Sequence, residues 1–325
     1  MSLTPCPACD GPLVLMVRCV GRYAYYRCTD CSLVTSLPMP SSEELQAFYD
    51  GFLFGAPDPR EHELNQLGIQ RNVRKILQDC RERGGLVVPF SVLDWGGGVG
   101  YYANAFAKAG CRCTLIDIDA KACQYARETF AGAFEVINAD PARHPLAEQY
   151  DLVFCNQVIE HCPDLVGLVD AIRRAVRPGG IAIITTPNQQ CKEWLFRPQW
   201  FSYYLRRVAR STWQLPMALA HFLRTPWVCC DPPRHLHAFN RKSLARLLDR
   251  SGLTVIASFG QFSDSQYYGL PIHDFDWKIR RLRSILRVGL NVVNLGGMRM
   301  LHLLSPGGAW GDNLIVFARP ARQPG

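Results

Sequence analysis

Four cysteines near the N-terminus stand in two matched pairs. Cys6 and Cys9 form one CxxC pair, Cys28 and Cys31 form the other, and 18 residues separate the pairs. Each pair directs two thiolates to one point, and four soft ligands at this spacing suit tetrahedral zinc. A redox CxxC is the competing reading, but it would be a single pair beside a βαβ unit. Because cysteine fills all four positions, we predict a structural zinc ribbon with no site left for substrate.

A second candidate site begins at a glycine-rich loop. The apolar stretch 91–95 leads into Gly96, Gly98 and Gly100, and 101–109 has the pattern of an amphipathic helix. Glycines let the backbone approach a ligand closely, and a helix N-terminus donates free amides. This combination occurs in enzymes that bind either nicotinamide dinucleotides or S-adenosylmethionine, so the loop alone does not identify the ligand.

Two acidic residues help to decide between these ligands. Asp117 ends the next apolar stretch, 23 residues after Asp94, where an acid is placed to accept ribose hydroxyls. Asp94 itself precedes the loop, whose spacing differs from the G-x-G-x-x-G dinucleotide fingerprint. A carboxylate at that point would repel a pyrophosphate, whereas it could serve the ammonium group of a methionine moiety directly or through water. The pattern therefore favours S-adenosylmethionine.

Four segments in this part of the chain resemble, in order, the signature segments of class I S-adenosylmethionine-dependent methyltransferases. They cover about residues 92–188 and read VLDWGGGVGYYANAFAKAG, LIDIDAKACQYAR, YDLVFCNQVIEHCPD and IRRAVRPGGIAIITTPN. The subgroup they resemble most is the one that includes the ubiquinone-pathway O-methyltransferases. The resemblance implies a Rossmann-like fold, S-adenosylmethionine as cofactor and methyl transfer as the reaction.

The resemblance also implies which residues contact the cofactor. Asp94 and the loop glycines would line the methionine and sulfonium end. Asp117 would bind the ribose, and Ile118 would flank the adenine. Asp140, after the third strand, would approach the adenine amine.

The groups nearest the transferable methyl are expected where the fourth strand ends. The resemblance places Asn156 and Gln157 there, and Glu160 and His161 follow closely. Ligands bind at the carboxyl edge of such sheets. His161 is therefore the first candidate for a general base, which is needed only if the acceptor is protonated. The alternative is a structural histidine.

A second histidine cluster lies in the segment PPRHLH, which the resemblance assigns to the substrate lid. Its members, His235 and His237, are further catalytic candidates, and the alternative is that they fix the loop. Neither histidine spacing indicates a second metal. Aromatic residues in 194–213 could wall an apolar acceptor pocket or form the core of a helical insertion.

An α/β architecture would bring these candidates together. Strands are predicted at about 91–95, 112–117, 133–137, 151–156 and 181–185. Because helices alternate with them, the sheet should be parallel and doubly wound. A helix at 242–250 should lead to a strand near 253–259, and the last strand, 312–319, should be antiparallel.

The chain should divide into three parts. We expect the zinc ribbon at 1–40, a helical linker at 41–85 and the methyltransferase domain at 86–325. Excursions at about 189–240 and 260–308 should cover the substrate.

Composition and charge place the protein among soluble cytoplasmic chains. The 325 residues are 48% hydrophobic, and neither a secretory signal pattern nor a membrane-spanning apolar run is present. Cysteines such as Cys80, Cys123 and Cys155 stand singly in apolar stretches, as buried thiols do in a reducing compartment. The net charge of +8 collects around 206–210 and in 278–293, a basic amphipathic pattern. These clusters suit an acidic partner, an anionic membrane surface or simple solvation.

The sequence leads to one main functional hypothesis. It is methyl transfer to a small-molecule acceptor, at oxygen in preference to nitrogen or carbon, on a metabolite, sugar or lipid-linked intermediate. The alternative is an RNA methyltransferase, since some ribosomal RNA enzymes combine a zinc ribbon with this fold and basic clusters could follow phosphates. A non-catalytic S-adenosylmethionine-binding protein is less consistent with an intact glycine loop and both acids.

Overall fold

The computed structural model describes residues 4–18, 22–51, 59–192, 232–261, 297, 300, 303–305 and 308–321. The aromatic segment 194–213, the basic cluster at 206–210 and the basic pattern at 278–293 lie outside these residues. Within the described ranges, every helix is too short or too polar to cross a membrane.

Seven strands form the central sheet. They are β4 Ser91–Trp95, β5 Arg112–Asp117, β6 Glu135–Asn138, β7 Tyr150–Asn156, β8 Val176–Pro187, β10 Leu253–Gln261 and β11 Asn313–Pro320. Their order across the sheet is β10-β11-β8-β7-β4-β5-β6. Strands β4 to β8 pair in parallel, and β11 runs antiparallel between β8 and β10. The predicted doubly wound sheet with an antiparallel last strand is therefore confirmed.

The largest difference from the predicted strands is at the start of β8. The strand begins at Val176, five residues before the predicted 181, because Val176 pairs with Tyr150 ahead of a register shift.

Helices of the described residues cover the two faces of this sheet. They are α3 Tyr101–Lys108, α4 Ala120–Thr129, α5 Leu165–Ala175 and α6 Arg241–Arg250. Acidic caps start two of them: Asp119 accepts hydrogen bonds from the amides of Lys121 and Ala122, and Asp164 accepts one from Gly167. These caps satisfy amides that a helix end leaves without intrahelical partners.

The helix α2, Pro59–Gly84, belongs to one of these helical layers. Its residues Ile69, Val73 and Cys80 are buried in the same cluster as Phe106 of α3. Their spacing of four and seven residues puts them on one face of a helix. The second half of the expected linker is therefore part of the domain core.

The N-terminal ribbon is an antiparallel sheet in the order β1-β2-β3-β9. Strands β1 Leu13–Arg18 and β2 Ala24–Cys28 form a hairpin, and β3 Val34–Leu37 follows. The fourth strand, β9 His237–Ala238, comes from the excursion that we expected to cover the substrate. The ribbon is thus completed by a strand from the larger, C-terminal part of the chain.

The ribbon also shares its core with that domain. Leu13 and Leu33 are buried in one cluster with Phe239, Leu244 and Leu314. Such shared burial stabilises the association of the two parts, since apolar area removed from water contributes about 25 cal/mol per Å².

The scattered thiols are buried as predicted. Cys80, Cys123 and Cys155 have no exposed surface, and all three are free thiols. They pack as small apolar side chains.

Candidate active site and metal centre

The glycine loop follows β4 and leads directly into α3. Gly96, Gly98 and Gly100 have φ angles of +67°, +53° and +83°, a left-handed region that other residues rarely adopt. Gly96 is also restricted by space, because a Cβ atom there would lie 2.6 Å from Cγ2 of Val158. The loop therefore approaches the turn after β7 so closely that glycine is required.

Asp94 lies beneath this loop. Its carboxylate accepts a hydrogen bond of 3.0 Å from the amide of Ala103 in the first turn of α3, and its exposed fraction is 1%. Burial raises the pKa of Asp94 to about 7. In this structure Asp94 fixes the loop to the helix, whereas the sequence had suggested that it lines the methionine end.

Asp117 stands at the carboxyl end of β5, beside the loop. Its Oδ2 accepts a hydrogen bond of 2.8 Å from the amide of Gly98, and its Oδ1 accepts one of 2.8 Å from the amide of Asp119. Burial raises its pKa. The next residue, Ile118, is 64% exposed, so its side chain is open to a planar ligand.

Asp140 lies on the turn after β6. Its Oδ1 accepts a hydrogen bond of 3.0 Å from the amide of Ala142, and its Oδ2 lies 3.4 Å from Nε of Arg143. The neighbouring Asn138 donates to the carbonyl oxygens of Asp117 and Ile118. These bonds join the two turns that the resemblance assigns to ribose and adenine.

Asn156 and Gln157 form a polar network where β7 ends. Oδ1 of Asn156 accepts a hydrogen bond of 2.6 Å from Oγ1 of Thr185. Gln157 has a left-handed φ of +58°, and its amide side chain donates to Thr185 at 3.3 Å and to Asn313 at 3.1 Å. A non-glycine residue held in this region stores strain, a frequent feature of functional sites.

His161 ends the 3₁₀ turn Ile159–His161, which follows this network. Its Nδ1 lies 2.8 Å from the carbonyl oxygen of Arg234, and a carbonyl oxygen can only accept, so Nδ1 carries the proton. In the neutral ring Nε2 then keeps a lone pair. Burial lowers the pKa of His161 to about 4, so the ring is neutral at physiological pH.

Glu160 is fully buried next to this histidine. Its Oε2 accepts a hydrogen bond of 2.9 Å from Thr186, and its Oε1 lies 3.8 Å from Nε2 of His161. Oε1 has no hydrogen-bond partner among the described residues. Burial raises the pKa of Glu160 to about 7. Two acceptor atoms thus face each other with room for a proton or a cation between them.

His235 completes the cluster. Its ring centroid lies 4.6 Å from that of His161, and ligand atoms of Glu160, His161 and His235 all lie within 4.8 Å of one another. Such a group could hold a metal ion, and the expectation that there is no second metal stays a prediction. Spacing could not reveal the group, since His235 lies 74 residues after His161 in the sequence.

His237, the third candidate for catalysis, has a different position. It is fully buried, its Nδ1 lies 3.0 Å from Oγ1 of Thr35, and its Nε2 lies 3.1 Å from the carbonyl oxygen of Cys162. Nε2 must donate to that carbonyl, so Nδ1 accepts from the threonine hydroxyl. With both nitrogens engaged, His237 has no atom to offer a substrate. The expectation of a catalytic His237 is therefore corrected to a positioning role.

Tyr49 belongs to the site although sequence reasoning missed it. It lies in the helix α1, Ser42–Gly51, and its hydroxyl oxygen is 3.2 Å from Nδ1 of His161. Burial and the nearby charge of Glu160 raise the pKa of Tyr49 to about 12. Sequence spacing carries no signal for this contact, because 112 residues separate the two side chains.

The four ribbon cysteines form a single cluster. Sγ of Cys6 lies 3.6 Å from Sγ of Cys31, Sγ of Cys9 lies 3.5 Å from Sγ of Cys28, and all four sulfurs lie within 4.8 Å of one another. The amides of Asp30 and Cys31 point to Sγ of Cys28 at 3.4 and 3.5 Å. The hydrogen bond between Cys6 and Cys31 lowers the pKa of the Cys6 thiol and raises that of the Cys31 thiol. Four converging sulfurs with amide donors fit a tetrahedral zinc ion.

Comparison with curated proteins gives relatives over about half of the chain. The ubiquinone biosynthesis O-methyltransferase of Sodalis glossinidius is 32% identical over 163 residues, which are 48% of this chain and 65% of that protein. The enzyme of the same name from Salmonella arizonae is 34% identical over 138 residues, 40% of this chain and 56% of that protein. The chain thus spans less than two thirds of the curated relatives it matches.

Solved structures include 1,6-didemethyltoxoflavin-N1-methyltransferase of Burkholderia thailandensis, which is 16% identical with a TM-score of 0.48. The alignment covers 93% of this chain and 97% of that one, but a likeness at this level carries no argument about function. The model of a methyltransferase domain matches residues 61–258, more than half of the 325 residues, and these include the glycine loop, Asp117 and the Glu160–His161 turn. The chain therefore belongs to the methyltransferase domain family.

Proposed function

We propose that this chain transfers a methyl group from S-adenosylmethionine to a small-molecule acceptor, at oxygen in preference to nitrogen or carbon. The observation that carries the proposal is the close approach of Gly96 to Val158. It brings the glycine loop against the turn that holds Glu160 and His161, at the carboxyl ends of the adjacent strands β4 and β7. A cofactor loop and a proton-accepting cluster so placed suit transfer between two bound molecules.

The cofactor would be held by residues of four successive strand ends. Asp117 offers a carboxylate for the ribose hydroxyls, Ile118 an exposed apolar face for the adenine and Asp140 an acceptor for its amine. The glycine loop and the polar pair Asn156 and Gln157 would border the methionine end, above the buried Asp94. When bound, S-adenosylmethionine supplies a methyl group on a positively charged sulfur.

His161 would act as the general base toward a hydroxyl acceptor. Its Nε2 carries the lone pair, and the 3.8 Å distance to Glu160 places a carboxylate where the positive charge would form. Tyr49 and the carbonyl oxygen of Arg234 hold the other side of the ring. General base catalysis of this kind contributes on the order of 10² to 10⁴ in rate.

The four ribbon cysteines would hold one structural Zn²⁺. Their sulfurs leave no ligand position for a substrate, so the ion would stabilise the ribbon without taking part in the reaction. We further propose a cytoplasmic location on the ground of the buried free thiols. The basic pattern at 278–293 would allow contact with an anionic membrane.

Transfer of a labelled methyl group tests this function. Purified protein is incubated with methyl-labelled S-adenosylmethionine and host extract separated into small molecules, lipids, RNA and protein. The proposal expects label in the small-molecule or lipid fraction, and none there with Asp117→Ala. Label in RNA would replace the proposal with the RNA alternative, and an Asp117→Ala variant with full activity would remove the assigned cofactor site.

A further inference from the structure

We infer that the ribbon positions the acceptor-side turn of the methyltransferase domain, through a relay that runs from Thr35 through His237 to the backbone of Cys162. The inference rests on the proposed assignment of Glu160 and His161 to the acceptor site. It gives the ribbon a defined task within the enzyme: to hold the base in place.

Both ring nitrogens of His237 form hydrogen bonds, one to the ribbon and one to the turn. A threonine hydroxyl from β3 donates to one ring nitrogen at 3.0 Å, and the other ring nitrogen donates to the carbonyl oxygen of Cys162 at 3.1 Å. Cys162 directly follows His161. His237 thus links the ribbon to the residue next to the proposed base, and the side chains of Thr35 and His237 are both fully buried.

A second set of bonds runs parallel to the first. The amide and hydroxyl of Ser36 donate to the carbonyl oxygen of Leu236 at 2.9 and 3.1 Å. The amide of Leu236 donates to the carbonyl oxygen of Glu160 at 2.8 Å. Two neighbouring residues of the segment therefore each contact β3 on one side and the turn on the other.

The base itself is attached to the same segment. Nδ1 of His161 donates to the carbonyl oxygen of Arg234. Residues 160, 161 and 162 are thus all bonded to residues 234–237, and that segment is bonded to the ribbon. Displacing the ribbon would change the tautomer and direction of His161.

The turn that carries Cys31, one of the four proposed zinc ligands, is also bonded to the larger part of the chain. The side-chain amide of Asn240 donates to the carbonyl oxygen of Ser32 at 3.2 Å and to Oε1 of Gln189 at 2.6 Å, and Gln189 donates to the same Ser32 carbonyl at 3.1 Å. Ser32 adjoins the ligand Cys31. The backbone that the four cysteines fix therefore also fixes the start of α6, because Asn240 is the cap of that helix.

Thr35 and His237 each supply one link of this hydrogen-bond relay, and both side chains are fully buried. When a buried hydrogen bond loses one partner, the other polar atom stays in the interior without a partner, and this costs free energy of folding. The turn should therefore loosen when the threonine hydroxyl is removed, even though the threonine lies in another sheet.

Amide hydrogen exchange of the full-length protein tests the relay. Thr35→Val removes the hydroxyl with little change of shape, Thr35→Ser keeps it, and Thr29→Val is the matched control on an exposed ribbon threonine that bonds to Asp30. We expect the amides of residues 160–162 and 236–238 to exchange about 5- to 150-fold faster in Thr35→Val. Exchange should stay at the wild-type rate in Thr35→Ser and Thr29→Val, and residues 94–104 should be unchanged in all of them.

Removal of the metal with a chelator is the second measurement. We expect faster exchange in 160–162 and 234–240 together with the ribbon, while the affinity for S-adenosylhomocysteine stays within about twofold. Faster exchange confined to 4–37 would overturn the relay. If the chelator unfolds the whole chain, the threonine variants decide, and equal effects of Thr35→Val and Thr29→Val would overturn it.

The exchange experiment needs no acceptor, so it separates the two proposals. An intact relay in a protein that transfers no methyl group would contradict only the proposed function. A failed relay in an active methyltransferase would contradict only the positioning role of the ribbon.

Discussion

Nδ1 of His161 lies 2.8 Å from the carbonyl oxygen of Arg234, a residue 73 positions later in the chain. This hydrogen bond places the proton on Nδ1 and directs the lone pair of Nε2 to the side of Glu160. A histidine is often assigned as a base from sequence position alone. Here a specific backbone oxygen sets its tautomer, as second partners commonly do for functional histidines.

Replacement of the proposed base should remove most activity without weakening cofactor binding. For His161→Gln we expect kcat to fall by about 10² to 10⁴, the usual contribution of general base catalysis. His144→Gln is the control, since His144 lies outside the cluster. Steady-state kinetics with the acceptor found by labelling give kcat, and a titration gives the cofactor Kd.

The same variants distinguish a base from a metal ligand. If His161 acts as a base, wild-type activity should persist in a chelator that leaves the ribbon metal bound. A requirement for an added divalent cation, lost in His161→Gln and in His235→Gln, would instead assign Glu160, His161 and His235 to a metal site.

The close approach of Gly96 to Val158 predicts a steric effect that can be rescued. Gly96→Ala places a methyl group 2.6 Å from Cγ2 of Val158 and also forces alanine into a φ of +67°. We expect a loss of unfolding free energy of about 2 to 4 kcal/mol, of which about 1 to 2 kcal/mol is backbone strain. Chemical denaturation measures the free energy of unfolding of wild type and of the variant.

Two further variants separate these contributions. Gly98→Ala has a φ of +53° with open space around the added Cβ, so it should show the backbone strain alone. Val158→Ala should recover part of the stability of Gly96→Ala, since it removes the clash. Equal losses in Gly96→Ala and Gly98→Ala, with no recovery, would mean that the loop and the turn are not in contact.

Because His237 is buried and neutral, the difference in unfolding free energy between wild type and His237→Gln should depend on pH. Burial lowers its pKa to about 4, against an ordinary value of 6.5. A lowered histidine pKa means that the unfolded chain binds the proton first, so this stability is present above about pH 6.5 and is lost as the pH falls toward about 4. We expect the advantage of wild type over His237→Gln to shrink by up to about 1.4 kcal/mol per pH unit in that window.

Comparing wild type with His237→Gln cancels the contributions that other titrating groups make to the pH dependence of the unfolding free energy. Asp94 and Glu160, whose pKa values burial raises to about 7, stabilise the fold at low pH in both proteins. Unfolding free energies at pH 7, 6 and 5 give the slope. A difference that stays constant with pH would contradict a neutral buried His237.

The ribbon should bind one zinc ion per chain. Cys9→Ser removes one of four ligands, so we expect metal content to fall and thermal stability to drop, because metal binding free energy is folding free energy in such sites. Cys191→Ser is the control at a cysteine outside the cluster. Metal analysis and thermal unfolding check both variants. Full zinc content in Cys9→Ser would contradict the four-cysteine site.

The sequence predicted the parts of this fold that depend on local pattern. Apolar stretches and their turns predicted the strands and the parallel sheet with its antiparallel last strand, and the paired CxxC spacing predicted the cysteine cluster. The glycine loop and Asp117 lie side by side because their strands are neighbours, which is a regular property of this topology.

The sequence did not predict contacts between distant segments. Tyr49 and His235 contact His161 from two distant parts of the chain, and Thr35 contacts His237 from a third. Spacing in the sequence carries no information about such contacts. The sequence also did not show that both ring nitrogens of His237 are hydrogen-bonded within the protein. A histidine that binds a ligand and one that bridges two segments are the same residue type.

Titration with S-adenosylhomocysteine by calorimetry tests the central claim, the cofactor site at the glycine loop and Asp117, most directly. Asp117→Ala removes the carboxylate, and Asp170→Ala is the control for a carboxylate that pairs with Arg173 and Arg174 on α5. We expect one binding site in wild type and in Asp170→Ala, and binding weakened about 10- to 100-fold or more in Asp117→Ala, the cost of hydrogen bonds to a charged group. No binding to wild type, or equal affinity in all three proteins, would contradict the account.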